Sequence, residues 1–172
     1  MTFEMSEETD VDVYNITAPF VYEGKLLIAG RADRRNDESH SKTHFFRHLQ
    51  RGHWVHDKTL PSLDLQDPFV GQVQDQWYVG GVRVYTTPDH PNAVAGWDTQ
   101  IYLGSDLRHL DFLIDGPYMM KDIRLTGLPN GDIAIFTRPQ GEKGGVGKIG
   151  FTTVHRLEDI TAQVIAEAPI IP

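Results

Sequence analysis

One aspartate in the sequence is placed where it could act as an acid catalyst. Asp67 stands before Pro68 and the apolar pair Phe69-Val70, a pattern typical of the start of a strand. Proline fixes the local backbone, and a carboxyl group held at the start of a strand and partly removed from water suits proton donation to a ligand. The same residue could instead form an Asx turn that caps the strand, and the local residues alone favour that simpler interpretation.

A mixed-charge segment, residues 30–39, offers groups that bind paired hydroxyls. It contains Arg31, Arg34, Asp37 and Glu38 within a few residues of each other. Guanidinium and carboxylate groups can hydrogen-bond two neighbouring hydroxyls of a sugar at once, so a sugar-binding loop is one interpretation. The other is a solvated loop after a strand, which is the commoner origin of such a segment.

Basic side chains near two later strands could together bind an anion. Lys121, Asp122 and Arg124 lie together, and Arg138 follows the apolar run that ends at Phe136. Arginine grips phosphate with two parallel hydrogen bonds, so convergence of these strand ends would create a phosphate site. Arginines at matching positions of a repeat could equally form salt bridges between neighbouring units.

Five histidines fall in a short stretch, but their spacing does not predict a metal site. His40, His44 and His48 are four residues apart and would share one face of a helix. The stretch also contains the pair Phe45-Phe46 and a glycine, which indicate a hairpin. Helical spacing has no meaning on a strand.

The composition excludes several classes of protein. The 172 residues carry a formal charge of −8 and contain no cysteine, which rules out a disulfide framework, a zinc–thiolate site and a cysteine nucleophile. The acidic balance argues against nucleic-acid binding. No apolar run approaches the roughly 18–20 residues that span a bilayer, and the acidic start lacks the apolar core of a signal peptide. We therefore expect a soluble, cytoplasmic protein without membrane contacts.

The elements that must position these residues are strands. Apolar runs are short and separated by Gly, Pro, Asn or Asp, and only residues 157–166 suggest a helix. Three stretches also repeat the pattern strand, tight turn, strand, with turn residues Gly24, Gln76 and Gly131 placed 52 (76 − 24) and 55 (131 − 76) residues apart. In each stretch an arginine follows the turn residue by seven positions: Arg31, Arg83 and Arg138.

Four strands per repeat of roughly 50 residues are typical of a β-propeller blade. The sequence therefore predicts an all-β fold, a partial β-propeller over residues 13–172 with blades near residues 13–64, 65–116 and 117–168. Residues 1–12 are expected to form an acidic, flexible segment. Three blades are too few to close a ring, since propellers have about four to eight. A β-sandwich with chance self-similarity is the alternative.

Several segments together resemble one known family. The sequence is similar to the domain of unknown function 1861, a group associated with the mannosyltransferase–phosphorylases of glycosyltransferase family 108 and related to the β-mannoside phosphorylases of glycoside hydrolase family 130. These enzymes share a five-bladed propeller, so the resemblance implies that this chain holds about three of the five blades. The similarity runs from about Val13 to Ala168 and is carried by these segments: Val13–Phe20, Ile28–Arg31, Leu65–Phe69, Met120–Leu125 and Phe136–Gly141.

The resemblance implies chemistry on β-1,2-linked mannosides, by inverting phosphorolysis or by mannosyl transfer from a sugar nucleotide. By this resemblance, Asp67 corresponds to the residue that donates the proton in the family. Substrate contacts fall on Arg31, Arg34, Asp37, Glu38, Gln66, Lys121 and Asp122, and phosphate contacts fall on Arg124 and Arg138. No resident cofactor or metal is implied, because inorganic phosphate or the sugar nucleotide is a co-substrate.

Two further functions stay open at this point. Family members are longer than this chain, so it could be a catalytically incomplete sugar-binding fragment that needs self-association or a second chain to complete the ring. A β-mannoside hydrolase would need a second carboxyl group to activate water, and Asp122 and Glu38 are the candidates. The expected ligand in each case is a mannose-containing oligosaccharide, with phosphate as its co-substrate in phosphorolysis.

Overall fold

The protein is built mainly of strands, as its short apolar runs predict. The structure, a computed structural model, describes residues 1–6, 10–35 and 37–172; the side chain of Glu38 also lies outside the described part. Within this part, the strands form three sheets that follow one another along the chain. The prediction of an all-β fold is confirmed.

The first sheet begins at the N terminus. It contains β1 (Thr2–Glu4), β2 (Val11–Tyr14), β3 (Phe20–Tyr22), β4 (Lys25–Arg34), β5 (Asp37–Gln50) and β6 (His53–His56). Their order is β1-β6-β5-β4-β2, and β3 also pairs with β4. The flexible segment expected over residues 1–12 stays a prediction, and residues 7–9 of it lie outside the described part of the chain. Strand β1 pairs in parallel with β6. The physical reason for this pairing is apolar packing, since the Phe3 ring lies 5.1 Å from that of Phe46, centre to centre.

The second sheet is an antiparallel meander. It contains β7 (Gln66–Val73), β8 (Gln76–Tyr85), β9 (Gly96–Asp106) and β10 (His109–Asp115) in chain order. Gln74 and Asp75 join β7 to β8, and both are left-handed, with φ of 48° and 61°. Two left-handed residues match the right-handed twist of the strands that they join. The turn thereby sets the register of β7 from Val73 back to Phe69, and an irregularity then shifts the pairing so that Gln66 lies opposite Val82.

The third sheet is smaller and carries the helical segments. It contains β11 (Arg124–Gly127), β12 (Ile133–Thr137) and β13 (Gly150–Val154), with the one-turn helix α1 (Gly141–Gly144) before β13. A 3-10 turn (Leu157–Asp159) and α2 (Ala162–Glu167) follow. The helix expected over residues 157–166 is therefore divided, because Thr161 is extended and caps α2 by accepting a hydrogen bond from the Val164 backbone N–H. Among the described residues, no helix is long and apolar enough to cross a membrane.

Two hydrophobic clusters hold the sheets side by side. In one, Leu27 and Phe45 of the first sheet pack with Val79 of the second. The other joins the second sheet to the third and contains Phe69, Ile101, Ile123, Ile133 and Ile135. Each such side chain contributes about 1.5–3 kcal/mol when fully buried. As a result, β7 contacts both β4 of the first sheet and β11 of the third.

Candidate active site

Asp67 lies where the three sheets meet, and its carboxylate is held through one oxygen. The residue occupies an irregularity of β7 and has a left-handed φ of 48°. The Asn15 side chain donates a hydrogen bond of 2.6 Å to Oδ1, and NH1 of Arg31 lies 3.4 Å from the same atom. Neither donor engages Oδ2. The side chain is 25% exposed, so a ligand can reach it.

Arg31 is a fixed cation beside Asp67. Its Nε and NH2 donate hydrogen bonds of 3.0 and 2.8 Å to Asp33, and both residues are buried. The Tyr14 ring lies 5.0 Å from the guanidinium, and its hydroxyl also donates to Asp33. Burial alone would raise the pKa of Asp33, but hydrogen bonds from Arg31, Tyr14 and Ser41 outweigh it and hold that pKa below its ordinary value. The pair therefore stays ionised.

The third sheet adds a second group of charges. Asp122, just before β11, has a φ of 62° and accepts a hydrogen bond from NH1 of Arg138. NH2 of Arg124 lies 4.0 Å from Asp122, and its guanidinium lies 4.4 Å from the centre of the Phe69 ring. Burial lowers the pKa of Arg124, and the carboxylates of Asp122 and Asp67 oppose that shift. An additional anion would stabilise the charged form of a partly buried guanidinium of this kind.

Three of the remaining predicted contacts, Arg34, Asp37 and Gln66, line two cavities beside the site. Arg34 and Asp37 face each other across the β4–β5 hairpin and line a separate cavity of about 360 Å³. Gln66 lines a wider groove between the first and second sheets. Lys121 is half-buried and has no ion pair within the part of the chain that the structure describes. Glu38 belongs to β5, but its side chain lies outside the described residues.

Two of the three repeated arginines flank this site. Arg31 and Arg138 contact its carboxylates, as described above. Arg83 instead pairs with Asp98 and Asp115 of its own sheet, at 2.8 and 3.1 Å. The repeat thus supplies one cation to Asp67 and another to Asp122, and its third arginine forms a salt-bridge network inside the second sheet.

The histidine-rich stretch forms β5 and β6, as the hairpin interpretation predicts. The rings of His44 and His56 pack edge to face with centres 4.6 Å apart. Burial, followed by the nearby His56 and Lys42, lowers the pKa of His44 to about 4. Across residues 1–6, 10–35 and 37–172, no three His, Asp or Glu side chains are grouped so that they could hold a metal ion.

Two side chains that hold the site, Asp33 and Asn15, were not predicted from the sequence. Asp33 lies two positions after Arg31, so a strand places both on one face, and that spacing is visible in the sequence. Asn15, Asp67 and Asp122 each stand nine residues before the turn residue of their repeat. All three are left-handed, with φ of 47°, 48° and 62°, a conformation uncommon outside glycine. They are therefore equivalent positions of the repeat.

The three sheets and their order define a propeller-type glycosidase fold. The α-L-arabinanase of Penicillium chrysogenum is similar over 93% of this chain and 48% of its own, with a TM-score of 0.53 and 14% identity. A likeness at this identity shows the fold alone. The predicted fold class is confirmed, while the number of blades and their boundaries stay predictions.

The chain belongs to the family described as protein of unknown function (DUF1861), whose model matches residues 1–172. A GDP-Man-dependent mannosyltransferase from Leishmania mexicana is 29% identical, with a TM-score of 0.86, over 99% of this chain and 52% of that one. A mannose phosphorylase from the same organism, solved with a phosphate ion, is 27% identical, with a TM-score of 0.86, over 98% and 51%. The chain thus spans about half the length of these relatives. No curated protein matched the sequence.

Proposed function

We propose that the protein acts on β-1,2-linked mannosides, by inverting phosphorolysis or by mannosyl transfer, with Asp67 as the proton donor. The observation that carries the proposal is the way the Asp67 carboxylate is held. Asn15 and Arg31 occupy Oδ1, and Oδ2 stays available to a ligand. A carboxyl group fixed in one orientation is suited to protonating a single leaving oxygen.

Phosphorolysis needs only one acid from the protein. A phosphate oxygen forms a bond to the anomeric carbon from the face opposite the glycosidic oxygen, and the glycosidic C–O bond breaks. The leaving oxygen takes a proton from Asp67, directly or through a sugar hydroxyl, and Asp67 regains one from hydrogen phosphate or water. Phosphate is an anionic nucleophile and needs no general base. Arg124 and Arg138 are the proposed phosphate ligands, because guanidinium groups bind phosphate bidentately.

The proposed sugar contacts fall into two groups. Arg31 contacts Asp67, and Asp122 pairs with the two proposed phosphate ligands. Both would contact the mannose residue at which the reaction occurs. Arg34 and Asp37 line the separate cavity, so they would contact only a ligand that extends away from that residue.

Two relatives support the mannoside part of the proposal. One is a mannosyltransferase that depends on GDP-Man, and the other is a mannose phosphorylase. They leave two donors open for this chain, mannose 1-phosphate and a sugar nucleotide. In either reaction the phosphate group that the arginines would bind belongs to the proposed co-substrate, and no resident cofactor is required.

A second candidate is a sugar-binding part of a longer ring. The chain spans about half the length of the relatives named above. In addition, Arg138 is already paired with Asp122, so phosphate would have to share this cation. Under this candidate the chain binds mannosides but turns them over only when another chain or a second copy completes the site.

The test is Asp67→Asn, with formation of mannose 1-phosphate from β-1,2-mannobiose and phosphate as the measurement. Loss of the acid should lower the rate by about 10²–10⁴-fold. Asp75→Asn is the matched control, because Asp75 is an exposed, left-handed aspartate in the turn after β7. An unchanged rate in Asp67→Asn would remove Asp67 from the mechanism.

Three further outcomes separate the candidates. Free mannose released without phosphate would indicate a hydrolase. Transfer from GDP-mannose, but not from mannose 1-phosphate, would identify a sugar nucleotide as the donor. Binding of mannobiose without turnover under any of these conditions would favour the sugar-binding part of a longer ring.

A further inference from the structure

A groove separates the first sheet from the second beside Asp67. Its volume is about 720 Å³, within the range of about 300–1,000 Å³ that is usual for small-molecule sites. We call it the inter-sheet groove, and it is lined by Ser39–Lys42, Ser62–Asp64, Gln66, Val82–Val84, Gln100 and Tyr102. Neither the candidate acid nor its proposed phosphate ligands line it.

The charged groups that line the groove already have partners of opposite charge. An anionic ligand would have to compete with these carboxylates for each cation, whereas a neutral ligand leaves every pair in place. The groove therefore favours a neutral ligand. The pairs are Lys42 with Asp64 at 2.8 Å, and Arg83 with Asp98 at 2.8 Å and with Asp115 at 3.1 Å.

The floor of the groove combines fixed polar groups with apolar surface. The Tyr102 hydroxyl donates a hydrogen bond of 3.2 Å to the Gln100 side-chain oxygen, and the Gln100 side-chain nitrogen donates one of 2.8 Å to Asp115. Burial raises the pKa of Tyr102, so its hydroxyl stays protonated. Val82 and Val84 lie beside these groups. Oriented polar groups next to apolar patches complement sugar rings, which carry hydroxyls at their edges and C–H bonds on their faces.

A short series of contacts leads from the groove to the candidate acid. Gln66 directly precedes Asp67 and donates a hydrogen bond of 3.1 Å to Ser41 of the opposite wall. Ser41 hydrogen-bonds Asp33, the partner of Arg31, and Arg31 reaches Asp67. One end of the groove therefore lies at the residue before Asp67, next to the groups that hold its carboxylate.

We propose that the inter-sheet groove binds the part of a neutral oligosaccharide that extends beyond the two sugars held at Asp67. The proposal rests on the proposed function, and it adds a preference for chains longer than a disaccharide. Such a preference follows because the groove holds more than one hexose ring and contributes hydrogen bonds that a disaccharide does not reach.

The experiment fills the groove without changing its charges. Ser62 is exposed and lines the groove, so Ser62→Trp should fold and occupy the space. Ser105 is an exposed serine of β9 outside the groove, and Ser105→Trp is the matched control. Dissociation constants for β-1,2-mannobiose and β-1,2-mannotetraose are measured by calorimetry on the wild type and both variants. Tyr102→Phe, which deletes one hydroxyl, provides a second and milder variant.

The wild type should bind the tetrasaccharide roughly tenfold more tightly than the disaccharide, the effect of one or two hydrogen bonds. Ser62→Trp should abolish this difference while leaving disaccharide binding unchanged, and Ser105→Trp should preserve it. Equal affinities for the two sugars in the wild type, or a preference that survives Ser62→Trp, would overturn the groove proposal and leave the function at Asp67 standing. Failure of the wild type to bind either sugar would instead overturn the proposed function, and the groove proposal with it.

Discussion

Two buried ionisable residues of the first sheet are held in opposite charge states by their surroundings. Asp33 is buried with Arg31, which donates to both of its oxygens, and its pKa is held low. His44 is also buried, but its Nδ1 has no hydrogen-bond partner in the described part of the chain. Its surroundings include His56 and Lys42, and its pKa is lowered to about 4. Near neutral pH the carboxylate is therefore charged and the imidazole is neutral.

Because of His44, the free energy of unfolding should fall as the pH drops from about 6.5 to about 4. Over this interval the histidine of the unfolded chain binds a proton near its ordinary pKa of 6.5, while the folded chain binds one only near 4. The unfolded state then carries more protons, so acid favours it, whereas above about pH 6.5 the full stability is present. Urea unfolding of the wild type and of His44→Asn between about pH 7 and pH 4.5 should give a flatter pH dependence for the variant.

The control for this measurement is His109→Asn, since His109 is an exposed histidine at the start of β10. It should keep the slope of the wild type. Identical slopes for the wild type and His44→Asn would show that His44 is not responsible for the acid sensitivity.

At the scale of elements, β8 carries two consecutive glycines where it pairs with β7. A Cβ atom on Gly80 would lie 2.1 Å from the Phe69 ring, and one on Gly81 would lie 2.6 Å from the Gln66 carbonyl oxygen. The segment around Asp67 therefore packs directly against the backbone of β8. Any side chain at these two positions would push the start of β7 away from its neighbours.

Gly80→Ala should lower the free energy of unfolding by about 1–3 kcal/mol, because the added methyl group overpacks the Phe69 ring. Gly127→Ala in β11 is the matched control. Nothing lies within 4 Å of its added Cβ, so the change should stay within about 0.5 kcal/mol or stabilise slightly through the unfolded state. Urea unfolding measures both. Equal losses in the two variants would mean that the close approach to Phe69 does not determine the cost.

At the scale of the whole molecule, the second sheet contributes to both hydrophobic clusters. The first and third sheets each need that shared packing to bury their own apolar side chains. We therefore expect the three sheets to open together, although each has its own hydrogen-bonded ladder.

Native-state hydrogen exchange should show this coupling in β4, β8 and β12. Ile101→Ala removes a fully buried side chain of the second sheet and should cost about 2–5 kcal/mol. Amide protection should fall by the same amount in all three strands, because their slowest amides exchange through global opening. The exposed Val21 provides the control Val21→Ala. Unchanged protection of β4 in Ile101→Ala would show that the first sheet is stable independently.

Local patterns predict the strands well, because short apolar runs and turn residues act within a few positions. They also single out Asp67, Arg31 and Arg138. What they could not predict is the set of contacts between sheets. The hydrogen bond from Asn15 to Asp67 joins residues that are 52 apart, and the pairing of β1 with β6 joins the chain terminus to a strand some 50 residues later. Such contacts depend on how whole sheets pack, which no local window contains.

The shared left-handed backbone of Asn15, Asp67 and Asp122 has a consequence for how this scaffold could change its chemistry. The same backbone conformation holds asparagine at one of these positions and aspartate at the other two, so it does not itself dictate which of these side chains is present. Each repeat therefore has one such position, and its side chain can change between asparagine and aspartate while the backbone conformation stays the same. A single substitution, Asn15→Asp, would place a third carboxylate at these equivalent positions and so offer the scaffold a new acid or base.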